Sequence, residues 1–288
     1  MEYIIISIGV ILILLILYIC FENKHLRICE YVITNSKIPQ TFDGAIFVVM
    51  ADLHNNSFGK NNERLLKYIY RINPDYIIIA GDMLVGDKTY THETALSLLL
   101  TLAEKYPIYY GYGNHEQRIH EQGPHHHEEF YDFYSQLEKA GVTFLVNTVV
   151  DIIKGKDNIR ITGIEIDKMY FRKMEKRPMP VEHLKDLVGI CDESCYNILV
   201  AHNPNYFETY AKWGADLTLS GHVHGGMARI PFLGGVISPQ FTLFPKYDGG
   251  KFEIDKKIML LSRGLGSHTI KIRFNNPPEL VVFRLEKR

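Results

Sequence analysis

From Tyr3 to Cys20 the chain is an almost unbroken series of Ile, Leu, Val and Tyr, interrupted only by Ser7 and Gly9. A charge-free run of about 18 residues reaches the lower end of what crosses a bilayer as a helix. It has no polar face, so it belongs in surroundings that are apolar on every side, protein or lipid. Its place at the N-terminus favours lipid. No basic stretch precedes it and no Ala-x-Ala site follows it, which argues against a cleaved leader. Residues 1–21 are therefore expected to form an uncleaved, single-pass anchor in the cell membrane. Lys24, Arg27 and Lys37 follow the run while Glu2 precedes it, which favours the cytoplasmic side for the domain that follows.

Residues 22–43 read as a juxtamembrane connector with an edge strand near Glu30–Thr34. From residue 44 the pattern changes to short apolar runs alternating with amphipathic stretches. Gly44–Met50, Asp75–Ala80 and Pro107–Gly111 are continuous runs of mainly apolar residues, the signature of strands buried on both faces. Leu65, Leu66, Ile69 and Ile72 recur at helical spacing between the first two, and a helix is expected over Glu93–Lys105 before the third. Residues 117–136, with Arg118, His120, His125, His126, His127, Glu128 and Glu129, read as a polar insertion, either a solvated loop or a cap facing substrate. A helix over Tyr131–Ala140 ends at Gly141. Short strands follow at 143–146, 149–153 and 158–166, then a charged helical stretch from Met169 to Asp192, broken by Pro178 and Pro180 and resuming at Val181–Leu187. Tyr196–Ala201 and Asp216–Ser220 are further buried strands. Residues 230–250 are loop-rich, and Lys257–Leu261 and Val281–Leu285 close the domain. The rhythm is α/β, with residues 44–288 as one catalytic domain.

Composition narrows the picture. A hydrophobic content of 46% over 288 residues supplies a sizeable core, and a net charge of -1 offers no basic field for nucleic acid. The cysteines Cys20, Cys29, Cys191 and Cys195 are too sparse for a disulfide scaffold. Oligomeric state cannot be read from the chain.

The chemistry lies where the strands end. Open α/β sheets gather their sites at the carboxyl ends of strands. Here those ends carry Asp52 and His54, Asp82, Asn114 and His115, His202, and finally His222 and His224 in Gly221-His222-Val223-His224-Gly225-Gly226. Each alone is unremarkable, since Asp and Asn cap helices and His sits in turns. Together they form a carboxylate, amide and imidazole set large enough for two metals. A carboxylate such as Asp82 can bridge cations about 3.5 Å apart. One site would take Asp52, His54, Asp82 and His224, the other Asp82, Asn114, His202 and His222. Without thiolates this set suits manganese, iron or zinc.

The order Asp-x-His, Gly-Asp, Gly-Asn-His-Glu, His, Gly-His-x-His resembles the calcineurin-like metallophosphoesterases, over about residues 46 to 227. The later blocks Arg229-Ile230-Pro231, Ser262-Arg263-Gly264-Leu265-Gly266 and Arg273-Phe274-Asn275-x-Pro277-Pro278-Glu279 are similar to the YkuE/YaeI-like bacterial membrane-associated subgroup. Val223 and Met227 stand where that subgroup has Thr and Gln, neither at a ligand position. The resemblance implies a four-layer α/β/β/α sandwich and two divalent or trivalent metal ions per chain (Mn, Fe or Zn). It implies that Asp52, His54, Asp82, Asn114, His202, His222 and His224 are the metal ligands. It makes His115 a catalytic histidine that is not a ligand, with Asn114 able to touch both metal and phosphate. The expected activity is hydrolysis of phosphodiester or pyrophosphate bonds by a metal-bridging hydroxide, on a lipid-linked or nucleotide substrate. A phosphomonoesterase or protein phosphatase on the same site, or a scaffold on the same fold, are the alternatives. No nucleic-acid partner is expected. Arg229, Arg263 and Arg273 can bind substrate phosphate or pair within the protein.

Overall fold

Successive residues of a strand point to opposite faces, so a continuous apolar run needs an apolar layer on each side. In Ile46–Met50, Val48 and Met50 pack against helices, while Phe47 and Val49 pack against a second sheet. The computed structural model that shows this describes residues 1–86, 92–121, 124–172, 177–267 and 272–288, and of residues 124–129 the backbone alone.

The first sheet takes β1 (Arg27–Asn35), β2 (Ile46–Met50), β3 (Tyr76–Ala80), β4 (Ile108–Gly111), β5 (Thr143–Leu145) and the last strand, β14 (Glu279–Lys287), in the order β1-β14-β2-β3-β4-β5. The second takes β6 (Thr148–Lys154), β7 (Asp157–Ile164), β8 (Asn197–Ala201), β9 (Leu217–Ser220), β12 (Gly250–Ile254) and β13 (Lys257–Leu261), in the order β12-β13-β9-β8-β7-β6. A two-stranded ribbon, β10 (Arg229–Ile230) with β11 (Gly234–Gly235), stands apart from both. Residues from both sheets, among them Phe47, Ile78, Ile161, Ile198 and Leu219, form the layer between them. Helices α2 (Glu63–Ile72), α3 (Glu93–Ala103) and α5 (Pro124–Lys139) cover the outer face of the first sheet. Helices α6 (Val181–Val188) and α7 (Phe207–Trp213) cover that of the second. The architecture is the expected four-layer α/β/β/α sandwich.

Two stretches differ from the sequence reading. Residues 117–136 are not a loop: α4 (Asn114–Glu121) and α5 occupy most of them. The polar histidines masked the first turns of α5, and with them Phe130, which shares one buried helix face with Phe133 and Leu137 of the expected Tyr131–Ala140 helix. The side chains of His125, His126, His127, Glu128 and Glu129 lie outside the described residues. Between Met169 and Asp192 the helical parts are a single 3-10 turn, Lys168–Phe171, and α6, and residues 173–176 lie outside the described residues.

Ahead of the sandwich runs α1 (Glu2–Glu22), a helix long and apolar enough to cross a membrane and exposed along nearly its whole length. The stretch expected as a connector carries β1, which pairs in parallel with β14 from Arg27↔Glu279 to Asn35↔Lys287. Ile33, Ile38 and Phe42 are fully buried. The first sheet is thus closed by residues that precede the motif region. A chain beginning at Asn23 is expected to unfold cooperatively in urea. One beginning at Gly44 is expected to lose that transition, because burying one Ile already contributes about 2–5 kcal/mol against a total of about 5–15. Equal midpoints for the two would place the domain boundary at residue 44.

Candidate metal centre

The carboxyl ends of β2, β3, β4, β8, β9 and β13 meet along one rim of the two sheets, and the loops leaving them are hydrogen-bonded to one another. Asp52 N donates to Gly81 O at 2.9 Å and His54 N to Asp82 O at 3.2 Å. Gly221 N donates to His202 O at 3.0 Å, and Leu265 N to Ala51 O at 3.0 Å. These loops are tight enough to force the left-handed backbone on residues that are not glycine: φ is 52° at Asp52, 47° at His54, 55° at Asp82, 73° at His222 and 51° at His224. Each such residue costs about 1–3 kcal/mol and persists where the surroundings over-determine it, which is characteristic of functional sites. Glycine is required beside them for a different reason. A Cβ on Gly113 would lie 2.2 Å from Asp82 Oδ1, and one on Gly221 would lie 2.4 Å from Asp52 Oδ2.

Six of the expected residues converge as Asp52, His54 and His224 on one side and Asp82, His202 and His222 on the other, with His115 grouped with His54 and Asp82. All are buried except His224, which is partly so. Asp82 Oδ2 lies 3.0 Å from His202 Nε2 and 3.9 Å from His54 Nε2. Asp52 Oδ1 lies 3.4 Å from His224 Nε2 and 3.8 Å from the Nε2 atoms of His54 and His202. Asn114 opens α4 directly after Gly113.

Backbone carbonyls fix the rings. Nδ1 of His54 faces Leu84 O at 3.1 Å, that of His202 faces Ala80 O at 2.6 Å, and that of His224 faces Gly266 O at 3.1 Å. A carbonyl only accepts, so each Nδ1 carries a proton, and each ring, when neutral, presents its Nε2 lone pair to the cluster. Carbonyl-anchored rings of this kind are the usual support of metal-binding histidines.

The donor set fits a cation. His202 Nε2, His222 Nε2 and Asn114 Oδ1 are buried with no hydrogen-bond partner among the described residues. The 3.0 Å approach of His202 Nε2 to Asp82 Oδ2 lies off the hydrogen-bonding axis, as two donors aimed at a common third point would lie. His54 Nε2 and His224 Nε2 approach to 3.3 Å, lone pair against lone pair when both rings are neutral.

Electrostatics agree. Burial foremost pushes Asp52 up to about 7, with the charge of Asp82 adding to it against the pull of His202. Burial would raise Asp82 as well, but His202 and His115 outweigh it and hold that carboxyl well below its usual range. Burial would lower His202, yet Asp82 and Asp52 push it up to about 10. Burial, with His202 beside it, pulls His222 down to about 3. The two buried carboxylates thus favour the charged form of the His202 ring, while burial and the neighbouring His202 keep His222 neutral.

His115 differs from the others. Its Nδ1 accepts from Gly86 N at 2.8 Å, and its own backbone N donates to Asp82 Oδ1 at 2.8 Å. The accepting Nδ1 places the proton of the neutral ring on Nε2, so His115 offers a donor where its neighbours offer lone pairs.

Sequence reasoning missed the supports. Glu116 was read only as part of a motif. Its buried carboxylate accepts from the backbone N of Asp82 at 2.8 Å, Gly113 at 2.9 Å and Leu84 at 3.1 Å, and from Tyr110 Oη at 3.0 Å. It ties the Asp82 loop to the start of α4. Burial raises its pKa, with the charge of Asp82 adding to the effect. The signal was present, as a Glu directly after the catalytic-type histidine. Asn276 donates to His224 O at 2.7 Å and to Gly226 O at 2.5 Å, and Phe171 packs edge-on to the His222 ring at 5.2 Å. Nothing local in the sequence marks either.

The three arginines pair within the protein. Arg273 is buried and donates to the carbonyls of Arg263, Gly264, Gly266 and Asn276. Arg229 pairs with Asp248 at 3.1 Å, and Arg263 with Glu279 at 3.4 Å.

Comparison with known proteins gives the family. The chain is 27% identical to the metallophosphoesterase YkuE of Bacillus subtilis, over 92% of this chain and 87% of that one. It is 26% identical to the phosphodiesterase YaeI of Escherichia coli, over 74% and 70%. It is 23% identical to a transmembrane protein with a metallophosphoesterase domain from Danio rerio, over 88% of this chain and 56% of that one. The family model for calcineurin-like phosphoesterases matches residues 46–226, the span that supplies the strand-end carboxylates, amide and histidines, and the chain belongs to that family of metal-dependent phosphoesterases.

Proposed function

We propose that the chain is a membrane-anchored phosphohydrolase with a dinuclear centre, cleaving phosphodiester or pyrophosphate bonds. The observation that carries this is the approach of Asp82 Oδ2 both to His202 Nε2, at 3.0 Å, and to His54 Nε2, at 3.9 Å, one ring from each half of the cluster. Asp52, His54, Asp82 and His224 would hold one ion, and Asp82, Asn114, His202 and His222 the other. Oxygen and imidazole donors without thiolate suit manganese, iron or zinc. Such ions, when bound, supply a nucleophilic water near neutral pH and neutralise charge on the phosphoryl oxygens.

The rest of the reaction falls to the chain itself. His115 donates from Nε2 to an oxygen of the reacting phosphoryl group or leaving group as charge develops there. While Nδ1 accepts from Gly86 the ring is not doubly protonated, so hydrogen-bond donation, rather than full proton transfer, is the role this geometry supports. Glu116 keeps Asp82 and Asn114 in register. With Arg229, Arg263 and Arg273 engaged internally, a monoanionic diester suits the site better than a dianionic monoester.

The anchor is α1, with residues 1–21 in the bilayer. Lys24, Arg27 and Lys37 on its C-terminal side favour a cytoplasmic catalytic domain.

The full chain, purified in detergent, is expected to carry about two metal ions by mass spectrometry. With manganese added, it is expected to hydrolyse bis-p-nitrophenyl phosphate faster than p-nitrophenyl phosphate. The reverse preference would make it a monoesterase, and a chain that binds no metal would remove the proposed ligands.

A further inference from the structure

Between His224 and the end of α1 lies a lobe whose surface is unlike the rest of the molecule. Phe232 is 108% exposed, Leu233 65%, Leu243 64% and Phe244 54%. Phe232, Phe241 and Phe244 have φ of 68°, 60° and 46°. A bulky residue in the left-handed region is a genuine outlier, and here three turns carry that strain while presenting phenylalanine outward. Contiguous exposed apolar surface of this kind marks an interaction site.

The lobe is built onto the candidate metal centre. Met227, three residues past His224, donates from its backbone N to Ile237 O at 3.1 Å, and Phe244 N donates to Val236 O at 2.9 Å. Phe274 N donates to Met227 O at 3.2 Å, and Arg229 N to Phe274 O at 2.9 Å. The lobe also meets α1. The Tyr18 ring packs edge-on to Phe274 at 5.3 Å, and Tyr18 Oη donates to Asn275 Oδ1 at 2.8 Å. Finally, a cleft of about 120 Å³ is lined by His54, Asn56, Gly266 and Arg273 on one side and by Asn23, the residue that caps α1, on another.

From this continuity we propose that the lobe lies in the headgroup region of the bilayer that α1 crosses, its phenylalanines and leucines dipping into the acyl boundary. The substrate is then an amphiphile of the same membrane, whose phosphodiester or pyrophosphate enters the cleft beside Asn23 and reaches His54. Aromatic side chains at the level of the headgroups are how membrane proteins hold their depth, and an apolar face backed by polar structure lies in that plane. A protein-binding surface has no reason to touch the end of a membrane helix; a lipid-facing one does. The inference rests on the reading of α1 as an anchor.

The test uses the full chain in vesicles of phosphatidylcholine and phosphatidylglycerol, with the phosphatidylcholine acyl chains brominated to quench tryptophan. The chain has 1 Trp, Trp213, which is buried at 6% exposure, so added tryptophans read out above a protected background. Leu12→Trp reports α1, Phe232→Trp reports the lobe, and Ile153→Trp, on the exposed edge strand β6, is the control. Quenching of Leu12→Trp and Phe232→Trp with Ile153→Trp unaffected is the expected result. Quenching of Leu12→Trp alone would overturn the inference while leaving the anchor intact. An unquenched Leu12→Trp would overturn the anchor reading and the inference with it. A Phe232→Trp emission that is unquenched and shifts with protein concentration would assign the lobe to a second copy of the chain. The double variant Phe232→Ser, Phe244→Ser should hydrolyse a vesicle-embedded diester about tenfold more slowly, the factor that 1.4 kcal/mol produces, with bis-p-nitrophenyl phosphate turnover unchanged. Equal losses on both would make the lobe a structural support only.

Discussion

Asp82→Asn is expected to lower metal content from about two ions per chain to one or fewer, and turnover by about 10³-fold, equivalent to roughly 4 kcal/mol of transition-state stabilisation. The substitution is nearly isosteric, and the amide oxygen can still accept from His115 N, now 2.8 Å from Oδ1. What it removes is the negative charge at Oδ2, which faces ring nitrogens of both halves of the centre. Neighbouring His202, held at about 10 chiefly by this carboxylate, should titrate lower in the metal-free variant, which NMR of its ring protons can follow. Metal content and turnover both unchanged would remove Asp82 from the centre. Lost turnover with both ions retained would keep Asp82 in the chemistry but not as the shared ligand.

His115→Ala is expected to lower kcat about 10²–10³-fold, the usual effect of deleting one donor to developing negative charge, with metal content unchanged and KM nearly so. The ring contributes no lone pair to the cluster while Nδ1 accepts from Gly86, which is why the metals should stay. His115→Gln, whose side-chain amide can donate, should recover part of the loss. Unchanged turnover in His115→Ala would remove the residue from the reaction. Loss of metal would recast it as a residue that positions Asp82.

The site was legible in the sequence because its residues sit at the ends of continuous apolar strands, where period and polarity change together. Asp52, His54, Asp82, Asn114 and His202 could be placed on that ground alone, and the glycines around His222 and His224 did the same for the sixth and seventh positions. The supports were illegible for a physical reason. Asn276 acts 50 residues away, on Gly226 O, and Arg273 acts on carbonyls of a different loop, so neither leaves a local pattern. The first turns of α5, ahead of the expected Tyr131–Ala140 helix, were obscured because consecutive histidines resemble loop polarity more strongly than Phe130 alone resembles a helix face. β12 was missed because Gly250–Ile254 alternates between partly buried and exposed positions at the sheet edge. Of β1 only the edge-strand stretch near Glu30–Thr34 was legible, inside an expected connector, because its pairing partner, β14, lies at the far end of the chain.

That pairing has a kinetic consequence. Only Asn23 to Leu26 separate α1 from β1, and four residues span at most about 14 Å. With β1 locked to β14, and Tyr18 already touching the 274–275 turn, the domain has almost no tether on which to swing. With α1 in the bilayer as proposed, its reach into solution would end close to the lipid surface. An enzyme held this way, acting on the membrane amphiphile proposed above, would sample its substrates in two dimensions. Its rate should follow the mole fraction of substrate in the leaflet, and diluting the vesicles at constant composition should leave it nearly unchanged.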